Sequence, residues 1–399
     1  MTLVQKRIFV FSALGLGVIL GASAIIILAR GYKPDFSNLT LKPTGLLVAT
    51  SQPDGAQIWV DGKLKSATNT TLNLPPDEYE VEIKKDGFSP WKKTLTLQKE
   101  LVTKADAYLF STLPNLKALT FTGASNPLLS PDGQKVVFVV SDASSSKRGL
   151  WVLDLTGLPL GLSREARQIS LSLGKERDFS EAKISWSPDS KQILAVFKNK
   201  TGRILYAYIL EGDKLNPNES LEDISLTLEV ILSLWEKEKQ LRLETQLSSL
   251  PPKLLNTLQD KVKDIQFAPD ETKILYTATA SASIEEKIIT PPPAPSTQRE
   301  ERQIKPDRIY VYDLKEDKNF YLGEVGENRY SWFPTSRHIF IIEQDKITVQ
   351  EYDGTNSTDI YAGPFVNSFA FPFPDATRLL ILTSINKDAP PNLYAVTLK

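Results

Sequence analysis

A turn signal recurs along the C-terminal part of this 399-residue chain, as Ser130-Pro131-Asp132-Gly133, Ser187-Pro188-Asp189, Ala268-Pro269-Asp270, Phe333-Pro334 and Phe373-Pro374-Asp375. Proline presets φ for the first turn position, and an aspartate carboxylate accepts the backbone amides that fix the turn. Each copy is followed within a few residues by an apolar, strand-like run. A hairpin repeated in this way decides architecture before any other pattern.

The third copy shows the unit most clearly. Ile265-Gln266-Phe267 enters the turn, Lys273 to Thr277 leaves it, and Arg308 to Leu314 forms a further strand. In the first copy Val136 to Val140 leaves the turn, Gly149 to Leu155 follows, and Arg167 to Ser170 supplies an outer strand. A four-stranded blade of this kind cannot cover both faces alone and needs neighbours around a ring. The expected fold is mainly β, with a β-propeller of five blades over residues 111–399 and six as the alternative. The last copy runs out of chain after Leu393 to Leu398, while Leu116 to Thr122 stands spare before the first turn. Pairing the spare strand with the last blade would remove two open edges at once.

Composition narrows the chemistry. With 47 basic and 48 acidic residues the net charge is -1, which offers no bulk field for phosphates and argues against a nucleic-acid partner. The absence of cysteine excludes disulfides, thiolate metal sites and thiol nucleophiles. The lone histidine, His338, rules out histidine-cluster metal sites and is expected at an exposed turn.

An uncharged apolar stretch, Ile8 to Ala29, has Lys6 and Arg7 before it and Arg30 after it. Its length predicts a transmembrane helix within residues 1–33, a single-pass membrane protein and an extracytoplasmic bulk. The rival is a cleaved signal segment ending at Ala22-Ser23-Ala24, against which the apolar run through Ile25 to Leu28 argues. Residues 34–43, broken by Pro34, Asn38 and Pro43, read as a linker.

Residues 44–110 carry short runs at Gly45 to Thr50, Gln57 to Val60, Thr70 to Leu74, Glu78 to Lys85 and Trp91 to Leu97. In Tyr79-Glu80-Val81-Glu82-Ile83-Lys84 the period of two directs Tyr79, Val81 and Ile83 to a core. Asp61-Gly62 predicts a tight hairpin. Pro53-Asp54-Gly55-Ala56, then Ile58 to Lys63, Leu74-Pro75-Pro76, Tyr79 and Lys85-Asp86-Gly87-Phe88 together resemble the PEGA domain. That resemblance implies a small β-sandwich of envelope-associated proteins; Asp77 departs from it, standing where the family has glycine. Leu119 to Gly123, Pro127 and the Ser130 turn resemble the repeats of TolB-like or WD40-like propellers, although Thr335 and Phe373 depart from the motif.

Two insertions interrupt the blades. At about 214–263, Leu221, Ile224, Leu228, Ile231 and Trp235 fall on one helical face with Ser220 as cap, and Leu254 or Leu255, Leu258 and Val262 suggest a second helix. This helical hairpin is expected to pack on the ring or to serve as a docking surface. At about 284–306, Pro291 to Pro295 open an extended, mobile loop.

Catalytic signals are absent: no glycine-x-serine-x-glycine elbow, Gly-rich phosphate loop or calcium loop stands out. The turn aspartates lie in different blades and are expected to serve the turns. Trp59, Trp151, Trp186 and Trp332 sit in or beside strands, where packing explains them. No residue is singled out as catalytic, cofactor-binding, partner-binding or metal-ligating. The expected role is a non-enzymatic envelope platform that binds or scaffolds proteins or cell-wall components. The alternatives are an accessory or sensory propeller binding a partner peptide, as the TolB resemblance implies, and a carboxylate-dependent polysaccharide enzyme.

Overall fold

The computed structural model describes residues 3–29, 32–35, 40–141, 146–157, 165–172, 174, 177–366, 368–386 and 389–399. They fall into two units, Met1–Leu109 with Pro291–Arg299, and Phe110–Thr290 with Glu300–Lys399.

The first helix, α1, is Leu3–Ala29. The expected membrane anchor is corrected here, because among the described residues no helix is long and apolar enough to cross a membrane. The single-pass, extracytoplasmic localisation inferred from the anchor falls with it. The side chains of Lys6 and Arg7, together with Arg30, Gly31 and Asn38, lie outside the described residues.

In the first unit, two sheets enclose one core. Thr70–Leu74, Gly45–Gln52 and Val102–Tyr108 form one sheet; Lys63–Ala67, Gln57–Val60, Asp77–Lys84 and Trp91–Leu97 form the other, in those spatial orders. The core contains Leu47, Ile58, Val81, Ile83 and Trp91, with Tyr79 packed partly against it. Lys63–Ala67 and Val102–Tyr108 are strands that the sequence reading missed. The latter pairs parallel to Gly45–Gln52, a long-range pairing that local pattern does not reveal. Asp61 and Gly62 both have positive φ, 49° and 71°, as a tight two-residue hairpin requires.

The second unit holds the repeats as antiparallel meanders. Blade 1 is Ser125–Leu129, Lys135–Val140, Gly149–Asp154 and Arg167–Leu171. Blade 2 has three strands, Ala182–Trp186, Gln192–Lys198 and Ile204–Glu211. Blade 3 is Val262–Phe267, Lys273–Ala278, Arg308–Asp313 and Lys318–Glu324, and blade 4 is Arg329–Trp332, His338–Ile342, Lys346–Glu351 and Thr358–Ala362. Blade 5 is Ala370–Pro372, Arg378–Thr383 and Asn392–Thr397, completed by Leu116–Ala118 from the start of the unit. The spare strand therefore completes the last blade, as expected. Around it, the Asn392 carboxamide oxygen accepts from the Thr120 hydroxyl and the Gly123 amide.

Alternate residues of each strand face different neighbours, as the period of two demands. Val137 and Val139 of blade 1 pack with Ile193 and Ala195 of blade 2, while Val136 and Phe138 pack with Leu380 and Leu393 of blade 5. Leu275 and Val311 of blade 3 meet Ile339 and Ile341 of blade 4.

Blades 2 and 3 are separated by the helical insertion. Helix α2 is Leu228–Ser248 and α3 is Pro252–Leu258. Leu228 covers Leu194 and Val196 of blade 2, and Leu250, Leu254 and Leu258 cover Ile274 and Tyr276 of blade 3. Three expectations are corrected. Ser220 does not cap α2, which begins after Thr227. Leu221 and Ile224 precede the helix because the Ile224 amide bonds the Ala207 carbonyl on the free edge of blade 2. Val262 begins a strand of blade 3 instead of continuing α3.

Blade 2 replaces its missing outer strand with side chains. The Asn216 carboxamide accepts from the Glu211 amide at 2.9 Å and donates to the Glu211 carbonyl at 3.0 Å, as a neighbouring peptide group would. It also donates to Ile169 of blade 1 at 3.0 Å. The Asp223 carboxylate accepts the Ala207 amide at 3.1 Å further along that edge.

Candidate functional site

Each recurring turn has the same backbone. Amides of Gly133, Ser190, Glu271, Ser336 and Ala376 bond the carbonyls three residues earlier, and all five residues have φ between 55° and 71°. This is a type I turn followed by a left-handed residue, which matches hairpin twist. The turn aspartates have the local work expected of them. Asp132 accepts from the Ser130 hydroxyl at 2.6 Å and the Gln134 amide at 3.0 Å, and Asp270 and Asp375 accept from Thr272 and Thr377 in the same way.

The left-handed serines do something the sequence reading missed. Ser190 Oγ accepts the amide of Asp132 in the preceding blade at 3.0 Å, and Ser336 Oγ accepts that of Asp270 at 3.0 Å. Beside them, Trp186 Nε1 donates to the Leu128 carbonyl at 3.1 Å and Trp332 Nε1 to the Gln266 carbonyl at 3.0 Å. Blade 2 is thus stitched to blade 1, and blade 4 to blade 3, by the same pair of bonds. The signal was present as tryptophan and serine at one offset, in Trp186-Ser187-Pro188-Asp189-Ser190 and Trp332-Phe333-Pro334-Thr335-Ser336. These bonds bring the first strands of adjacent blades together.

The accepting strands carry matching irregularities. Asn126 in blade 1 and Asp264 in blade 3 each stand four residues before the turn motif, with φ of 48° and 55°, and each sits where the strand register shifts. Asparagine and aspartate tolerate that conformation better than other side chains, and a bulge re-aims the residues around it.

At the blade 3 bulge the irregularity opens a cavity of about 290 Å³ between blades 3 and 4, lined by Lys263, Asp264, Gln266, Thr277, Arg329 and Tyr330 among others. Gln266 Nε2 donates to the Tyr330 carbonyl at 3.3 Å across its base. Burial pushes the Tyr330 phenol above its ordinary value. Lys263, Asp264 and Arg329 are exposed at this cavity, and among the described residues none of these three charged groups has an ion-pair or side-chain hydrogen-bond partner. The site therefore presents two cations and one anion on rigid strands, with a half-buried phenol below. The sequence reading singled out none of these residues, because their proximity depends on the meeting of two blades.

His338 is only 2 % exposed, which corrects the exposed turn position expected for it. It opens the second strand of blade 4, with Nδ1 2.9 Å from the Thr335 hydroxyl and its ring edge-on to Phe110 and Phe333. Lys273, at the same offset in blade 3, is equally enclosed, lying 3.6 Å from Asp313 and 4.6 Å from the Tyr352 ring centre. At the same offset Lys135, Gln192 and Arg378 are half-buried, so full enclosure of this position belongs to blades 3 and 4. Among the expected packing tryptophans Trp186 is 5 % exposed; Trp59, Trp151 and Trp332 are half-buried. Among the described residues no cluster of histidine, aspartate and glutamate has metal-binding spacing.

Residues 44–112 match the family model described as PEGA domain, and this part of the chain is a PEGA domain. No curated protein matches the chain. Among solved structures it is similar to a TolB-type protein of Agrobacterium tumefaciens, at 15% identity and a TM-score of 0.22 over 72% of this chain and 81% of that one. It is also similar to TolB from Acinetobacter baumannii (13%, TM-score 0.23, 81% and 60% covered) and to a gluconolactonase from Xanthomonas campestris (12%, TM-score 0.23, 72% and 90% covered). At these scores the description of the fold rests on the sheets themselves.

Proposed function

We propose that the chain is a non-enzymatic binding or scaffolding protein, with a PEGA domain and a propeller each presenting a surface to proteins or cell-wall components. The observation that carries this reading is the cavity between blades 3 and 4, where Lys263, Asp264 and Arg329 are held on paired strands with their charges unpartnered. Unpaired charges on a rigid scaffold are available to a partner at little reorganisation cost. Their mixed sign suits a peptide carrying both charges better than a uniformly charged polymer.

The test is titration of the full chain with a panel of charged peptides and cell-wall glycan fragments, followed by Lys263→Ala and Arg329→Ala. Saturable binding that both substitutions weaken about tenfold or more, roughly 1.4 kcal/mol each, supports the reading. Turnover of any glycan or peptide, or binding indifferent to both substitutions, overturns it.

A further inference from the structure

Residues 291–299 are inserted in blade 3, yet they belong to the first unit. The loop expected there is bonded at its tip. Gln298 Nε2 donates to the Thr94 carbonyl at 2.8 Å, and the Thr96 amide donates to Thr297 Oγ1 at 3.4 Å. Trp91–Leu97 is an edge strand of its sheet, so these are groups that a further strand would otherwise pair.

The two ends of this insertion are built differently. At its base Ala282–Ser283 pairs with Gln303–Ile304, and Ile284 and Ile304 are buried against blade 3. Arg302 donates to the Glu285 carbonyl and to the Asp317 carboxylate, the latter at 3.2 Å, and Asp317 also accepts the Lys287 amide at 2.8 Å. Both Arg302 and Asp317 are largely buried. The tip by contrast bonds through the side chains of Thr297 and Gln298, and its prolines, Pro291, Pro292, Pro293 and Pro295, cannot donate to a ladder.

We propose that the outer edge of Trp91–Leu97 is a strand-addition surface whose occupant is the chain's own segment 291–299, acting as a releasable cover. A full pairing would commit the edge permanently. A proline-rich contact closes it against chance strand pairing while leaving it open to displacement.

Hydrogen exchange on the full chain tests this, comparing it with Thr297→Val/Gln298→Ala and with a second variant whose residues 291–299 are replaced by a glycine-serine linker of equal length. Exchange in 91–97 rising roughly fivefold or more in both variants, with 77–84 unchanged, is the expected result. Because the chain lacks cysteine, Thr94→Cys/Gln298→Cys joined by a short bis-maleimide gives an unambiguous second readout. An intramolecular cross-link supports the proposal; unchanged exchange in 91–97, or cross-linking only between chains, overturns it.

Discussion

Trp186 Nε1 reaches out of blade 2 and donates to the carbonyl of Leu128 in blade 1 at 3.1 Å. The same bond joins Trp332 to Gln266 across blades 3 and 4, and in both pairs a left-handed serine accepts an amide from the preceding turn. At the junction of blades 2 and 3 the equivalent positions are Phe267 and Glu271, neither of which can repeat the pattern. There α2 supplies the contacts instead: Arg242 donates to the Pro188 carbonyl at 3.0 Å and Gln246 to Glu271 at 3.2 Å.

Replacing either indole by phenylalanine keeps most of the apolar contact and leaves a carbonyl without its donor. Trp186→Phe and Trp332→Phe should each cost about 1–2 kcal/mol and add when combined, since they lie in separate blade pairs. Urea unfolding of the two single variants and the double checks this.

Arg242 is exposed and Gln246 half-buried, so their double replacement by alanine should lower global stability by about 1 kcal/mol. Its effect should be local. Hydrogen exchange at 187–191 and 268–272 should quicken while the corresponding turn of blade 1, at 130–135, stays as it was.

Asp317 is held in blade 3 by Arg302, the Lys287 amide and the Tyr312 hydroxyl; burial, and then the carboxylate itself, push the Tyr312 phenol well above its ordinary range. Arg302→Met leaves that carboxylate short of its cation and should cost roughly 3 kcal/mol. Adding Asp317→Asn should recover part of the loss, a reversal that denaturation of the single and double variants would read directly.

The Ser187 hydroxyl, with the Lys191 amide and nearby Lys191 and Arg242 charges, holds the Asp189 carboxyl below its usual value. The Thr348 hydroxyl and Lys346 do the same for Asp359. A depressed carboxyl contributes its stability fully above the unfolded value of about 3.9 and loses it as pH falls through the folded value. The urea midpoint should hold between pH 7 and 5 and decline below about pH 4, and Asp189→Asn/Asp359→Asn should make that decline shallower.

The legible features were those set by neighbours in sequence. Pro131, Asp132 and their counterparts specified the turns, Val81 and Ile83 announced their burial by alternation, and Leu116 with its neighbours was recognisable as a strand lacking a local partner. The pattern that hid His338 was also local: its offset resembled that of Lys273, and both were read by polarity, whereas each begins a strand whose first side chain points inward. The apolar stretch in α1 invited a membrane reading from length alone, and no described helix supports it.

The recurring proline turn by itself determined that this chain makes hairpins, roughly where each begins, and that the set requires lateral neighbours, because those outcomes depend on backbone preference and on a period of two. Which blade meets which through Trp186 and Trp332, how α2 and α3 fill the gap between blades 2 and 3, and why Lys263, Asp264 and Arg329 surround one cavity were decided by tertiary structure. Hydrogen bonds and charges between residues some sixty positions apart form only after the strands carrying them have been brought together, and nothing in their local sequence records that meeting.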